Sequence, residues 1–171
     1  GLAAQGTGAW ASGGNLNEER YGNTGAGTQT AAITAGGHNG TAATVNVEKY
    51  DGSSWTEVAN INTARLALGS FGTSTAAIAM GGTPTSIDQD VAESWNGTSW
   101  TEIAEINTAT YKAGVSGSST AALKYGGTDP RIANTESYDG TSWTEVADLN
   151  NDTRDINPAG SQTAALCIGG N

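Results

Sequence analysis

Tyr138-Asp-Gly-Thr-Ser-Trp-Thr-Glu-Val-Ala147 occurs three times in this chain with small changes. It stands as YDGSSWTEVA at Tyr50–Ala59 and as WNGTSWTEIA at Trp95–Ala104. A Gly-Gly pair closes an apolar run four times, at Gly36, Gly81, Gly126 and Gly169. Trp10 to Gly36, Trp55 to Gly81, Trp100 to Gly126 and Trp143 to Gly169 are the same interval, 26 residues. The return from each Gly-Gly to the next Trp varies, so that stretch is expected to hold a loop. Self-similarity at a fixed period means that one unit cannot bury its apolar face alone, and stacked neighbours make the core. The 171 residues therefore read as one domain of four repeats anchored at Trp10, Trp55, Trp100 and Trp143.

Inside a unit the pattern is β. In Gly72–Gly82 small residues lead into an alternating Ala/Ile/Met run that Gly-Gly stops. Period-two runs bounded by Gly and Asx-Gly turns read as short antiparallel strands. Asp51-Gly52, Asn96-Gly97 and Asp139-Gly140 are hairpin turns, because Gly takes positive φ without steric cost. No stretch keeps a helical period. Four strands per unit are expected, in the second repeat at Gly69–Thr75, Ala76–Met80, Asp90–Trp95 and Trp100–Ile106. The wrapped interval from Gly169 through the termini to Trp10 is shorter than the others. It predicts a closed ring with one unit shared by both ends of the chain. Gly27, Gly72, Gly117 and Gly160 recur on the first strands. They read either as small residues at a tight axis or as a reflection of the Gly/Ser/Thr-rich composition.

Apolar run, Gly-Gly, loop, Glu-x-Tyr-Asp, Trp and then Ile-Asn-x-x-Arg resembles the kelch motif. The matching residues are Gly81-Gly82, Glu48–Asp51, Trp55 and Ile61–Arg65. The resemblance spans the chain and implies a β-propeller. The expected fold is all-β: a four-bladed kelch-like propeller with four antiparallel strands per blade and one blade closed by both termini. Near-identical repeats also allow two chains to complete one larger ring.

The net charge of −10, with only 7 basic residues, argues against nucleic acid, whose phosphates need Lys and Arg. No apolar run is long enough to span a bilayer, and no membrane insertion is expected. The chain does not begin with Met, which reads as a processed chain or a piece of a longer one. The lone Cys167 reads as a buried core thiol. One His and one Cys do not make a zinc site, no nucleophile elbow or phosphate loop is present, and the expectation is no enzyme. No cofactor is expected. Oxygen ligands for calcium are densest at Asp88–Asp90 and Asn150–Asp152.

Alternating strand direction puts the Gly-Gly loops and the unit-to-unit connections on one face. That face holds the residues that vary. Arg20, Arg65, Thr110 and Arg154 read as one structural column tying connections to neighbouring units, and Asn17, Asn62, Asn107 and Asn150 as turn-formers. The Trp column reads as core and Glu57, Glu102 and Glu145 as a solvated edge. Tyr21 and Tyr111 break the repeat and head the candidate ligand-binding set, with His38, Arg131, Asp88 and Asp90. Exposed Tyr among polar groups stacks on sugars or packs on protein.

The repeats also resemble, in style, those of bacteriophage tail fibres and virion surface proteins. That resemblance implies a binding or structural module on a virion or outside the cell. Its partners would be a host glycan or protein and neighbouring fibre components. Two alternatives stand beside it: an intracellular kelch adaptor docking a protein, and a propeller-class glycan-active enzyme using Asp88 or Asp90 with Asp152.

Overall fold

The computed structural model describes residues 12–128 and 130–171. Every regular element among them is a strand. The first sheet runs β1 (Thr24–Thr28), β2 (Ala31–Ala35), β3 (Val47–Tyr50) and β4 (Trp55–Glu57). The second is β5 (Gly69–Thr73), β6 (Ala76–Met80), β7 (Ala92–Trp95) and β8 (Trp100–Ile103). The third is β9 (Gly114–Ser118), β10 (Ala121–Tyr125), β11 (Thr135–Tyr138) and β12 (Trp143–Glu145). β13 (Asn157–Ser161) and β14 (Ala164–Ile168) form the fourth. Strands neighbour in chain order and all pairs are antiparallel. The all-β expectation and the strand order hold, and β6 has the expected bounds. β5 is shorter than expected because residues 74–75 form the turn into β6, and beyond β7 and β8 only single bonds such as Ile106 N–H to Asp90 O continue the pairing. The strand expected at Trp10 lies outside the described residues.

The aromatic doublets sit where the third and fourth strands meet their turn. Tyr50 faces Trp55, Trp95 faces Trp100 and Tyr138 faces Trp143 across the ladder. Their ring centroids are 5.0, 5.4 and 4.9 Å apart. Such cross-strand aromatic pairs stabilise a sheet beyond their area.

Each first strand lies against the next, β1 on β5, β5 on β9 and β9 on β13. The core is therefore a series of slabs between sheets. Ile33, Ala35 and Val47 meet Ala77, Ala79, Trp95 and Trp100 in the first slab. Phe71, Ile78 and Met80 meet Val115, Tyr138 and Trp143 in the second. Alternate residues of β6 thus serve two different neighbours, Ala77 and Ala79 one and Ile78 and Met80 the other, as the pleat requires.

Gly27, Gly72, Gly117 and Gly160 all have positive φ, between 103° and 134°. A Cβ there would press into the carbonyl oxygens of Ala31, Ala76, Ala121 and Ala164, one per sheet. The paired second strand of the same sheet therefore requires Gly, a cause that neither expected reading named. Cys167 is also corrected. It is exposed on β14, because no described strand covers that side of the last sheet.

Candidate functional site

The frame of the candidate face is a buried charge in each complete sheet. Glu48, Glu93 and Glu136 each stand seven residues before a Trp and are fully buried. The preceding connection wraps each carboxylate. Asn17, Asn62 and Asn107 give it both a backbone and a side-chain N–H, at 2.7–2.9 Å. Arg20 and Arg65 add guanidinium contacts at 2.9 and 2.8 Å. Arg65 also donates to the carbonyls of Gly81 and Val91. Burial pushes its basicity down, and Glu93 opposes the shift. Charges this deep are tolerated only when paired and hydrogen-bonded.

The third sheet solves the same problem differently. Thr110 replaces Arg, and Lys124 on β10 reaches Glu136 at 3.2 Å from the adjacent strand. Burial lowers the Lys124 pKa, with Glu136 opposing it. Each buried Glu therefore has one buried cation, drawn from either of two positions. The Asn residues are carboxylate ligands as well as turn-formers. The signal was the thrice-repeated Glu before Trp, which sequence reasoning used only as part of a motif.

Arg154 does not belong to the Arg column. The carbonyls of Arg65, Thr110 and Thr153 accept from Gly37, Gly82 and Gly127 N–H at 2.7–2.8 Å, which puts Thr153 in register. Arg154 stands one residue on, at the place of Tyr21, Leu66 and Tyr111. Its backbone exchanges hydrogen bonds with Asn171, as Tyr21 does with His38 and Leu66 with Thr83.

These bonds tie each connection to a Gly-Gly loop, and Tyr21 and His38 come together there. Their backbones form a two-way bridge and their rings lie 5.0 Å apart. Tyr21 is 60% exposed and His38 half-buried. The His38 Nδ1 accepts from Gly40 N–H, so Nε2 is the ring nitrogen left to donate. Asn39 shapes the loop by accepting from Thr41 and Ala42 and reaches Glu18. Tyr111 is half-buried, with the Lys112 ammonium 5.7 Å from its ring centroid and Asp155 3.1 Å from that ammonium. Lys112 was not among the expected residues. Its charge beside Tyr111 was the only signal.

Arg131 is exposed, with no hydrogen bond or ion pair to its side chain among the described residues. Asp88 and Asp90 are half-buried in the loop after β6, and Asp152 is exposed in the last connection. Among the described residues no three His, Cys, Asp or Glu side chains converge on a point that suits a metal ion. No helix among them is long and apolar enough to cross a membrane.

Beneath the face runs a backbone ladder. Ala67 N–H donates to Gly22 O at 2.7 Å, Lys112 N–H to Ala67 O at 2.9 Å, and Asp155 N–H to Lys112 O at 3.1 Å. One residue per sheet takes part, and all four have φ between 53° and 63°. Ala, Lys and Asp accept this left-handed conformation at a cost of about 1–2 kcal/mol each, held by the sheets on either side.

No protein-family model matches the chain, and no curated protein matches it.

Proposed function

We propose that the chain is a non-enzymatic binding module of a virion or extracellular surface, with its sheets as blades of a kelch-like propeller. The fourth blade is completed by the N-terminal segment that carries Trp10. The support lies in the charge complement. Seven residues before Trp10 stands Ala3, where the other units have Glu. The same unit has Thr153 at the Arg position and Cys167 at the Lys124 position, two residues before its Gly-Gly. The unit without the acid thus lacks both cations, as a shared buried site requires.

The observation that carries the binding role is the contrast between frame and face. The repeated residues are consumed in buried bonds, while the Tyr21–His38 pair and the Tyr111–Lys112 pair differ from unit to unit. Two Tyr rings beside an imidazole and an ammonium suit the apolar faces and hydroxyls of a host surface glycan. A glycan array with the full chain is the test. The expected result is retention of a defined sugar class, weakened at least tenfold in Tyr21→Ala and Tyr111→Ala without a change in Tm. Binding that survives both substitutions, or no retained glycan at all, overturns this role.

A further inference from the structure

The loop after β2 brings a base, a nucleophile and an electrophile into one turn. His38 and Ala43 form a bridge and Asn39 N–H donates to Ala42 O, so residues 39–42 turn tightly. Within that turn Gly40 N–H donates to His38 Nδ1 at 3.0 Å. An imidazole nitrogen at this distance is placed to take the proton. The Asn39 side-chain oxygen accepts from Thr41 and Ala42 N–H at 3.1 and 3.0 Å. Those two donors polarise the side-chain carbonyl and stabilise the negative charge that an attack on it puts on the oxygen. Asn39 and Gly40 are both exposed, and no atom lies within 4 Å of where a Gly40 Cβ would stand. Nothing therefore crowds the approach of the Gly40 nitrogen to the side chain before it.

The second unit supplies the contrast. Asn96-Gly97-Thr98 repeats the sequence of Asn39-Gly40-Thr41. Asn96 is exposed, and its side-chain oxygen accepts from Thr98 and Ser99 N–H, both at 2.9 Å. His38 is the one histidine of the chain, so the amide, the glycine and the two donors occur twice and the imidazole once.

We propose that His38, Asn39 and Gly40 form a self-modifying site. His38 Nδ1 takes the Gly40 amide proton, and the Gly40 nitrogen bonds to Asn39 Cγ. The Cγ–Nδ2 bond breaks, the imidazolium returns its proton to Nδ2, and ammonia leaves. The product is a cyclic succinimide across residues 39 and 40. Solvent water opens it at either carbonyl, giving aspartate, or isoaspartate with the chain running through the side-chain carbon. Either product puts a carboxylate at residue 39 in place of the amide that donates to Glu18 Oε1 at 3.3 Å. The loop loses that bond beside Tyr21 and His38, and its charge changes with the age of the molecule. The reaction needs no ligand, so it stands or falls apart from glycan binding.

The test follows both asparagines in one sample. The freshly purified full chain is incubated at neutral pH, and conversion of amide to acid at residues 39 and 96 is read by peptide mass and chromatography. In the folded chain Asn39 is expected to convert at least about tenfold faster than Asn96, with isoaspartate among the products. The two rates are expected to converge in guanidinium, where the loop no longer holds the imidazole in place. His38→Asn keeps an acceptor for Gly40 N–H but no base. It is expected to bring residue 39 down to the rate of Asn96 and to leave Asn96 unchanged. Equal rates in the folded parent, aspartate without isoaspartate, or an unaltered rate at residue 39 in His38→Asn each overturn the proposal.

Discussion

A single side chain decides most where it carries a charge out of water. Arg65 and Glu93 are fully buried together, and Asn62 and Thr63 donate to the same carboxylate. Removing one partner strands the other, so Arg65→Met is expected to cost about 3–5 kcal/mol, read as a lower urea midpoint at unchanged slope. The exposed turns respond to acid instead. Asp139 accepts from Ser142 and Thr141 N–H, which holds its carboxyl below the ordinary 3.8, and Asp51 does the same with Ser54 and Ser53. A carboxylate with a depressed pKa in the folded state contributes stability above its unfolded pKa and loses it as pH falls through the folded value. Asn96 makes the same two bonds without a titrating group. Asp139→Asn is therefore expected to match the parent at neutral pH and to lose less stability below about pH 4 in acid titrations followed by tryptophan emission.

At the scale of an element, the hairpin between first and second strands explains why one residue type recurs. Gly72 has φ of 114° and no room for a Cβ beside Ala76 O, whereas Gly40 has φ of 92° and open space. Gly72→Ala is expected to destabilise by more than Gly40→Ala, whose cost is the backbone strain of about 1–3 kcal/mol alone, in parallel urea titrations. Strand order was legible from the period-two runs and the Gly and Asx-Gly stops, because those signals are local. The buried Glu frame was half legible. Glu48, Glu93 and Glu136 share a visible spacing, but Lys124 answers Glu136 from a strand where no repeat pattern marks it. The misplacement of Arg154 has a similar cause. The last connection keeps its Asn and shifts its Arg by one residue, and only the hydrogen bonds of Gly127 and Asn171 fix which residue fills which place. Tyr21 and His38 both stood in the candidate binding set, yet their contact depends on a loop closing back over a connection, which spacing does not encode.

Across the whole molecule the sheets add in one direction, each covering the apolar face of the one before. A protein built this way has no intrinsic stopping point. Its ends are faces of the same kind as its interior. The candidate residues belong to the opposite logic. Tyr21, His38, Tyr111 and Lys112 lie where the units differ, so under the proposed binding role a ligand could change without disturbing the slabs. The ladder from Gly22 to Asp155 carries one more consequence. Every rung points its N–H the same way, so the molecule has a polarity, like a strand of rope with a lay. A sheet added in the opposite sense would set donor against donor or acceptor against acceptor, so the direction of the ladder fixes the sense in which each sheet follows the last.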